Sequence, residues 1–142
     1  MTEVSPMISS YEATTQTIAT GGAYVFGTNR ISTGCTIAHN AGSTTFTLAK
    51  PGYYYVTFNT TFTTDATGDA TVELQNGGVA VPGASATETV TTIGNTKSLA
   101  FSTIIRVLPS CCAVDNSTTL TFVATGIDLT ASTANVNITK LC

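Results

Sequence analysis

The chain has 142 residues and a formal net charge of −3; only 9% of its residues are charged, while 42% are hydrophobic. The apolar share is enough for one domain with one core, and it excludes a disordered chain, which combines low hydrophobicity with high charge. The five basic residues, Arg30, Lys50, Lys97, Arg106 and Lys140, lie far apart and argue against nucleic acid as a partner, and no apolar run reaches the roughly 18 residues of a membrane span.

Residues 1 to about 20 are polar, with little periodicity, and read as an arm outside the core, either loose or docked on a neighbour. They lack a basic start and an apolar stretch, so no signal peptide is read there. From residue 21 to 142 the chain is a series of short apolar runs separated by turn residues. Tyr24 and Phe26 alternate, then Phe46 and Leu48, and Pro51-Gly52 breaks the chain. The strongest strand follows: Tyr54, Val56, Phe58 and Phe62 share one face, with Thr60 between. Period two with aromatic and β-branched residues is a strand signal. A polar loop spans Asp65 to Asp69. Val72 and Leu74 lead to Asn76-Gly77, a hairpin signal, and Val79 and Val81 run into Pro82-Gly83. A threonine-rich stretch reaches Gly94-Asn95. Leu99, Phe101, Thr103, Ile105 and Val107 alternate cleanly as far as Pro109. Leu120, Phe122 and Ala124 form a strand closed by Gly126, and Val136 and Ile138 form the last. About eight to ten strands with no helix between them predict an all-β sandwich or jelly roll.

The 31 threonines suit half-exposed strands, because a β-branched hydroxyl side chain packs on the pleat and still meets water. The missing charge bears on assembly. A monomer of this size ordinarily stays soluble with mixed surface charge, so part of this surface is expected to be covered by identical copies.

The segment from Phe46 through Lys50-Pro51-Gly52-Tyr53-Tyr54-Tyr55-Val56 to Phe58 resembles the central signature of the complement-type globular head domains. Val72-Glu73-Leu74-Gln75-Asn76-Gly77 is similar to that family's following strand and turn. The resemblance covers roughly residues 35 to 140. It implies a ten-strand jelly roll of the tumour-necrosis-factor type that forms homotrimers. The threonine-rich, charge-poor version here is most similar to bacterial and phage members: head domains of collagen-like exosporium glycoproteins, and phage virion proteins. No collagen stalk precedes the domain in this chain, which favours a phage capsid decoration or head-fibre protein on the virion surface, with residues 1 to about 20 attaching it to a capsid protein. A spore-surface or bacterial adhesion head and a carbohydrate-binding module are the alternatives, and weak contacts with host-surface glycans through loops 65–69 and 83–97 would gain from many copies.

Alternation independently turns Tyr53 and Tyr55 to the face opposite Tyr54, Val56 and Phe58. Two outward tyrosines on one strand suit an interface, where the ring is buried and the hydroxyl finds a partner; Tyr53 and Tyr55 are the trimer-interface candidates. Catalytic chemistry finds little support. His39 is the single histidine, beside Asn40 in a turn, and reads as a solvent-facing or interface residue. No Gly-x-Ser-x-Gly elbow occurs. Asp65, Asp69 and Glu73 sit close together, but loop carboxylates more often solvate a turn than catalyse; Asp65 and Asp69 are weak calcium candidates, in a loop shorter than an EF-hand. No cofactor is expected, and no enzymatic activity. Cys35, Cys111, Cys112 and Cys142 match no zinc pattern; four thiols allow three pairings, and buried free thiols are the expected state. The sequons at Asn59, Asn116 and Asn137 are expected to stay unmodified.

No lysine or arginine lies between Lys50 and Lys97. The bond after Lys50 leads into Pro51 and resists trypsin in any fold; Arg106 is the informative site, expected to stay uncut in the native domain, and its rapid cleavage, followed by mass spectrometry, would count against a compact fold.

Overall fold

The computed structural model describes residues 6–108 and 118–141. These form eleven strands and no helix: β1 (Met7–Glu12), β2 (Gln16–Ile18), β3 (Thr28–Thr33), β4 (Ile37–Ala38), β5 (Phe46–Leu48), β6 (Gly52–Thr63), β7 (Gly68–Asn76), β8 (Val79–Val90), β9 (Lys97–Val107), β10 (Thr118–Thr125) and β11 (Leu129–Lys140). They build two antiparallel sheets. One runs β3-β1-β11-β6-β9, with β2 also beside β11; the other runs β4-β5-β10-β7-β8. The chain crosses from the first sheet to the second between β6 and β7, returns between β8 and β9, and crosses again on either side of β10.

The alternation read in β6 holds along its whole length: Tyr54, Val56, Phe58, Thr60 and Phe62 all point into the sandwich and are buried. Phe122 of β10 faces them from the second sheet. The Phe58 and Phe122 rings stack at 4.9 Å between centroids with 12° between planes. Tyr24, Phe26 and Phe46 pack edge-on around them, with Tyr24–Phe58 at 5.2 Å and Phe26–Phe46 at 5.4 Å. Thr60 is the one polar member of the inward row of β6, and its hydroxyl donates to the Thr133 carbonyl at 2.8 Å. That carbonyl lies beside a register shift between Ala131 and Thr133, so the hydroxyl satisfies backbone that the ladder leaves out. The Tyr24 hydroxyl lies 3.2 Å from the same Thr60 oxygen, and burial pushes its pKa up to about 12.

One expectation fails here. Residues 7 to 18 are not an arm: β1 is hydrogen-bonded on both sides, to β3 and β11, and Ile8 and Ile18 are in the core. The inward partner of Ile8 along β1 is Ser10, which breaks the hydrophobic period; it is buried because its hydroxyl donates to Asn29 Oδ1 at 2.6 Å. Pro82-Gly83 does not end β8, which runs for twelve residues, but it interrupts the ladder: pairing with β7 jumps from Glu73–Ser85 to Gln75–Ala80, and residues 81–84 bulge out of register. The bulge sits on an edge strand, where a proline's missing N–H is tolerated. The β7–β8 turn is centred on Gly77 and Gly78, with φ of 59° and 86°, the two left-handed positions of a tight hairpin turn.

Gly126, between β10 and β11, has φ +93° and no room for a side chain, because a Cβ there would overlap the Asp69 carbonyl oxygen. Gly83 has φ +81° and open space around it. Gly83→Ala is therefore expected to lose about 1–2 kcal/mol from left-handed strain alone, and Gly126→Ala about 3 kcal/mol or more from strain plus overlap. Urea denaturation at a fixed protein concentration checks the ranking.

Candidate functional site on the outer face of the six-stranded sheet

The residues of β6 that point away from the core are Tyr53, Tyr55, Thr57, Asn59 and Thr61. Pairing with β9 and β11 extends each into a row across the sheet. Tyr53 lies opposite Arg106, whose guanidinium sits 5.5 Å from the tyrosine ring centre. Tyr55 lies between Ile104 and Thr139, and the row continues to Met7. Thr57 lies between Ser102 and Asn137, and its row reaches Ser9 and Ile31. Asn59 lies between Ala100 and Asn135, and its row reaches Tyr11. Thr61 lies between Ser98 and Thr133.

The four rows through Tyr55, Thr57, Asn59 and Thr61 contain no charged side chain. Arg106 stands at one end of the face. At the other, Arg30 covers the Tyr11 ring at 4.7 Å. The outer face of the opposite sheet differs: it carries Asp69 and Glu73 on β7, with Asp69 accepting a hydrogen bond from the Thr89 hydroxyl at 3.0 Å. One end of the uncharged face is also apolar. Tyr53 and Tyr55 are 41% and 40% exposed, and Ile104 is 56% exposed. The middle row is polar but internally satisfied: the Ser9 hydroxyl donates to Asn137 Oδ1 at 2.6 Å, and Asn137 Nδ2 donates to the Thr57 hydroxyl at 3.2 Å. Asn137 and Asn59, each the first residue of a sequon, therefore both stand within this sheet face.

No family model matches the chain, and no curated protein matches it. Solved structures do. Eiger TNF from S. frugiperda superposes with a TM-score of 0.66 at 10% identity, covering 96% of this chain and 94% of that one. Murine APRIL superposes with a TM-score of 0.62 at 9% identity, covering 97% and 100%. The vertex protein P5 of PRD1 superposes with a TM-score of 0.55 at 13% identity, covering 99% and 100%. The fold is a tumour-necrosis-factor-like jelly roll. At these identities the likeness concerns the fold alone.

Within that jelly roll the other sequence candidates separate. Asp69 lies on β7. Asp65 lies in the β6–β7 loop, in a shallow cleft shared with Thr17, Thr20 and Asp128. Asp128 Oδ1 accepts from the Thr20 amide at 2.8 Å and the Thr20 hydroxyl at 3.0 Å, and these bonds hold its carboxyl below the ordinary range. No group of three His, Cys, Asp or Glu side chains that could hold a metal occurs among the described residues. Cys35 is a free thiol but an exposed one, contrary to expectation; it sits in the short loop between β3 and β4. Cys111, Cys112, Cys142 and the sequon at Asn116 lie outside the described residues.

His39 is neither solvent-facing nor on the sheet face. It is buried, stacked on Phe46 at 4.2 Å with 12° between planes. Its Nε2 donates to the Ser43 carbonyl at 2.8 Å and its Nδ1 lies 2.6 Å from Asn29 Oδ1, while Asn29 Nδ2 donates to the His39 carbonyl at 2.7 Å. The histidine thus ties β3, the loop after β4, and β5 together. The signal available in sequence was its place two residues after Ile37, in period with an inward position. Burial lowers the His39 pKa from the ordinary 6.5, and the bond to Ser43 opposes that only in part. The folded state therefore favours the neutral ring. Its contribution is full above pH 6.5 and is lost as pH falls through the lower folded value. Thermal stability is expected to decline between pH 7 and pH 5, and His39→Gln should flatten that decline while lowering stability at pH 7. An identical pH profile in the variant would show that another group is responsible.

Proposed function

We propose that the chain is a non-enzymatic, self-associating structural protein whose copies pack through the outer face of the six-stranded sheet, forming a homotrimer that projects from a particle surface. The observation that carries this is the absence of charge over four successive rows of an exposed sheet. Exposed protein surface is ordinarily charged and mixed in sign, and charge is depleted at the centre of interfaces, where tyrosine is enriched. Five strands about 4.8 Å apart and nine residues of β6 give a face of roughly 600 Å², close to the approximately 800 Å² per partner of a standard interface.

A closed ring of three requires two different patches on each copy, since its contacts are heterologous. The second patch is the edge where β8 and β9 come together. Val79, Val81 and Pro82 line a shallow groove there with Ile104 and Arg106, and Val79 is 70% exposed. The groove adjoins Tyr53 and Tyr55 through their partners Arg106 and Ile104, so the apolar surface is continuous from the edge onto the face.

A structural role on a virion is supported by the likeness to the PRD1 vertex protein. Within residues 1 to 20, the backbone of Met7–Glu12 and Gln16–Ile18 is paired in the sheet, so a capsid contact through that stretch would be made by its outward side chains. Calcium at Asp65 and Asp69 and glycan binding at the loops have no geometry that supports them further.

Light scattering tests the assembly. The wild-type protein is expected at three times its chain mass, and the Tyr53→Ser/Tyr55→Ser double variant, folded by circular dichroism, at the single-chain mass. An unchanged trimer in the double variant would remove these tyrosines from the interface.

A further inference from the structure

We propose that the cleft between Tyr11, Glu12, Arg30, Asn59 and Asn135, toward the β3 border of the six-stranded sheet, is a binding site for a neutral sugar unit of a glycan. The inference goes beyond the self-association proposed above and does not depend on it.

Departures from regular pairing make the cleft. Among the described residues the six-stranded sheet has two register shifts, and both border it. Pairing of β1 with β3 steps from Ser9–Ile31 to Ser10–Asn29, which leaves Arg30 as the extra residue. A bulge re-aims the side chain it carries, and here the Arg30 guanidinium is laid over the Tyr11 ring at 4.7 Å. Pairing of β11 with β6 skips Ser132, and Thr133 beside it lines the cleft. Glu12 stands at the end of β1. Its carboxylate fits there because residue 27 is glycine: a Cβ at that position would lie 2.6 Å from Glu12 Oε2. Asn59 and Asn135, cross-strand partners on β6 and β11, stand side by side as the remaining wall. The cleft has a volume of about 360 Å³, within the roughly 300–1,000 Å³ of small-ligand sites.

The polar groups of the cleft are largely uncommitted. Among the described residues neither carboxamide of Asn59 and Asn135 is hydrogen-bonded within the chain, and Arg30 makes no side-chain hydrogen bond. The one ion pair there joins Lys97 to Glu88, so Arg30 and Glu12 are not paired with each other. Glu12 accepts from the Thr14 amide at 3.0 Å with one oxygen. The adjacent row is the contrast: Asn137 commits its carbonyl oxygen to Ser9 and its amide nitrogen to Thr57.

This set of groups selects its ligand by chemistry. A guanidinium only donates, a carboxylate only accepts, and a carboxamide does both. The two charges cancel. An anion drawn to Arg30 meets Glu12, and a cation drawn to Glu12 meets Arg30, so each charged ligand carries a repulsive contact with its attractive one. A neutral ligand rich in hydroxyls carries neither. Each hydroxyl donates and accepts, so neighbouring hydroxyls of one sugar ring give to Glu12 and the asparagine oxygens and take from Arg30 and the asparagine nitrogens. Asn59 is four residues from Tyr55 along β6, and β1 is two strands from β6. At 3.3 Å per residue and 4.8 Å per strand the cleft is about 15 Å from Tyr55. A sugar there and a neighbour's edge on Tyr53, Tyr55 and Ile104 occupy different parts of the face, and several copies on one particle multiply a weak affinity per site.

The test titrates the isotope-labelled full chain with the methyl glycosides of glucose, galactose, mannose and N-acetylglucosamine at millimolar concentration, and separately with inorganic phosphate, followed by nitrogen–proton NMR. At least one glycoside is expected to shift the side-chain amide signals of Asn59 and Asn135 saturably, and phosphate to leave them in place. Arg30→Met keeps an apolar stem on the Tyr11 ring and removes the donors; it is expected to weaken binding about tenfold or more. Asn59→Ala/Asn135→Ala, followed through the backbone amides of Tyr11 and Thr133, is expected to do the same, both variants keeping the wild-type circular dichroism spectrum. No saturable shift with any of the four glycosides, shifts confined to other parts of the chain, or unchanged affinity in both variants would overturn the proposal. So would phosphate moving the two amide signals where the glycosides do not. Light scattering on the same samples scores assembly separately: the shifts are expected whether the protein runs as a trimer or as a single chain, so either proposal can fail while the other stands.

Discussion

The contact on which the rest depends is the stack of Phe58 on Phe122. These are the middle inward residues of β6 and β10, one from each sheet. Because strand side chains alternate, fixing Phe58 inward also fixes Tyr54, Val56, Thr60 and Phe62 inward, and turns Tyr53, Tyr55, Thr57, Asn59 and Thr61 outward. The outer face is thus a consequence of the core. A one-residue slip of β6 would bury the tyrosines and expose the phenylalanines, and the eleven-residue pairing of β6 with β9 holds the register against that.

Much of this was legible before the structure, and the legible parts share a cause. β6 and β9 have strict period two with large apolar residues on one side, so a central half-buried strand announces itself. Where the inward positions are small or polar, the signal disappears. β1 carries Ile8 and Ser10 inward, and the serine is buried only because Asn29, nineteen residues on, accepts its hydrogen bond. The inward positions of β8 include Ala84 and Ala86, which resemble loop composition more than a core strand. His39 reads as a turn residue because it directly precedes the Asn40–Ser43 turn; its ring, stacked on Phe46, belongs to the core. In each of these cases the deciding partner is distant in the chain. The same limit applies to the face: Tyr53 and Tyr55 follow from local alternation, whereas the Asn59–Asn135 pair appears only when β6 and β11 are brought together.

The charge economy of the chain is uneven. Among the described residues, acidic side chains stand on β7, on β8, in the loops and, as Glu12, at the end of β1, while the four central rows of the six-stranded sheet have none. A sequence simply poor in charge would spread its few evenly. Concentrating the absence on one side makes two surfaces of different character, one suited to water and one suited to a neighbour of the same kind. The internally bonded row through Asn137 fits this division, since it presents a polar face that asks nothing further of solvent.

Pro82 has an importance beyond local geometry. A sandwich rich in β-branched residues and nearly free of charge is a hazard at its borders, because an open strand border offers its amides and carbonyls to any passing strand. On β8 the proline removes one of those amides, and Gly83, at positive φ, turns the backbone next to it. A foreign strand cannot lie flat along that border. Copies that meet there are left with side-chain contacts only, and growth by adding strand to strand into a fibril is blocked on this side. The threonine-rich composition thus comes with its own guard against amyloid.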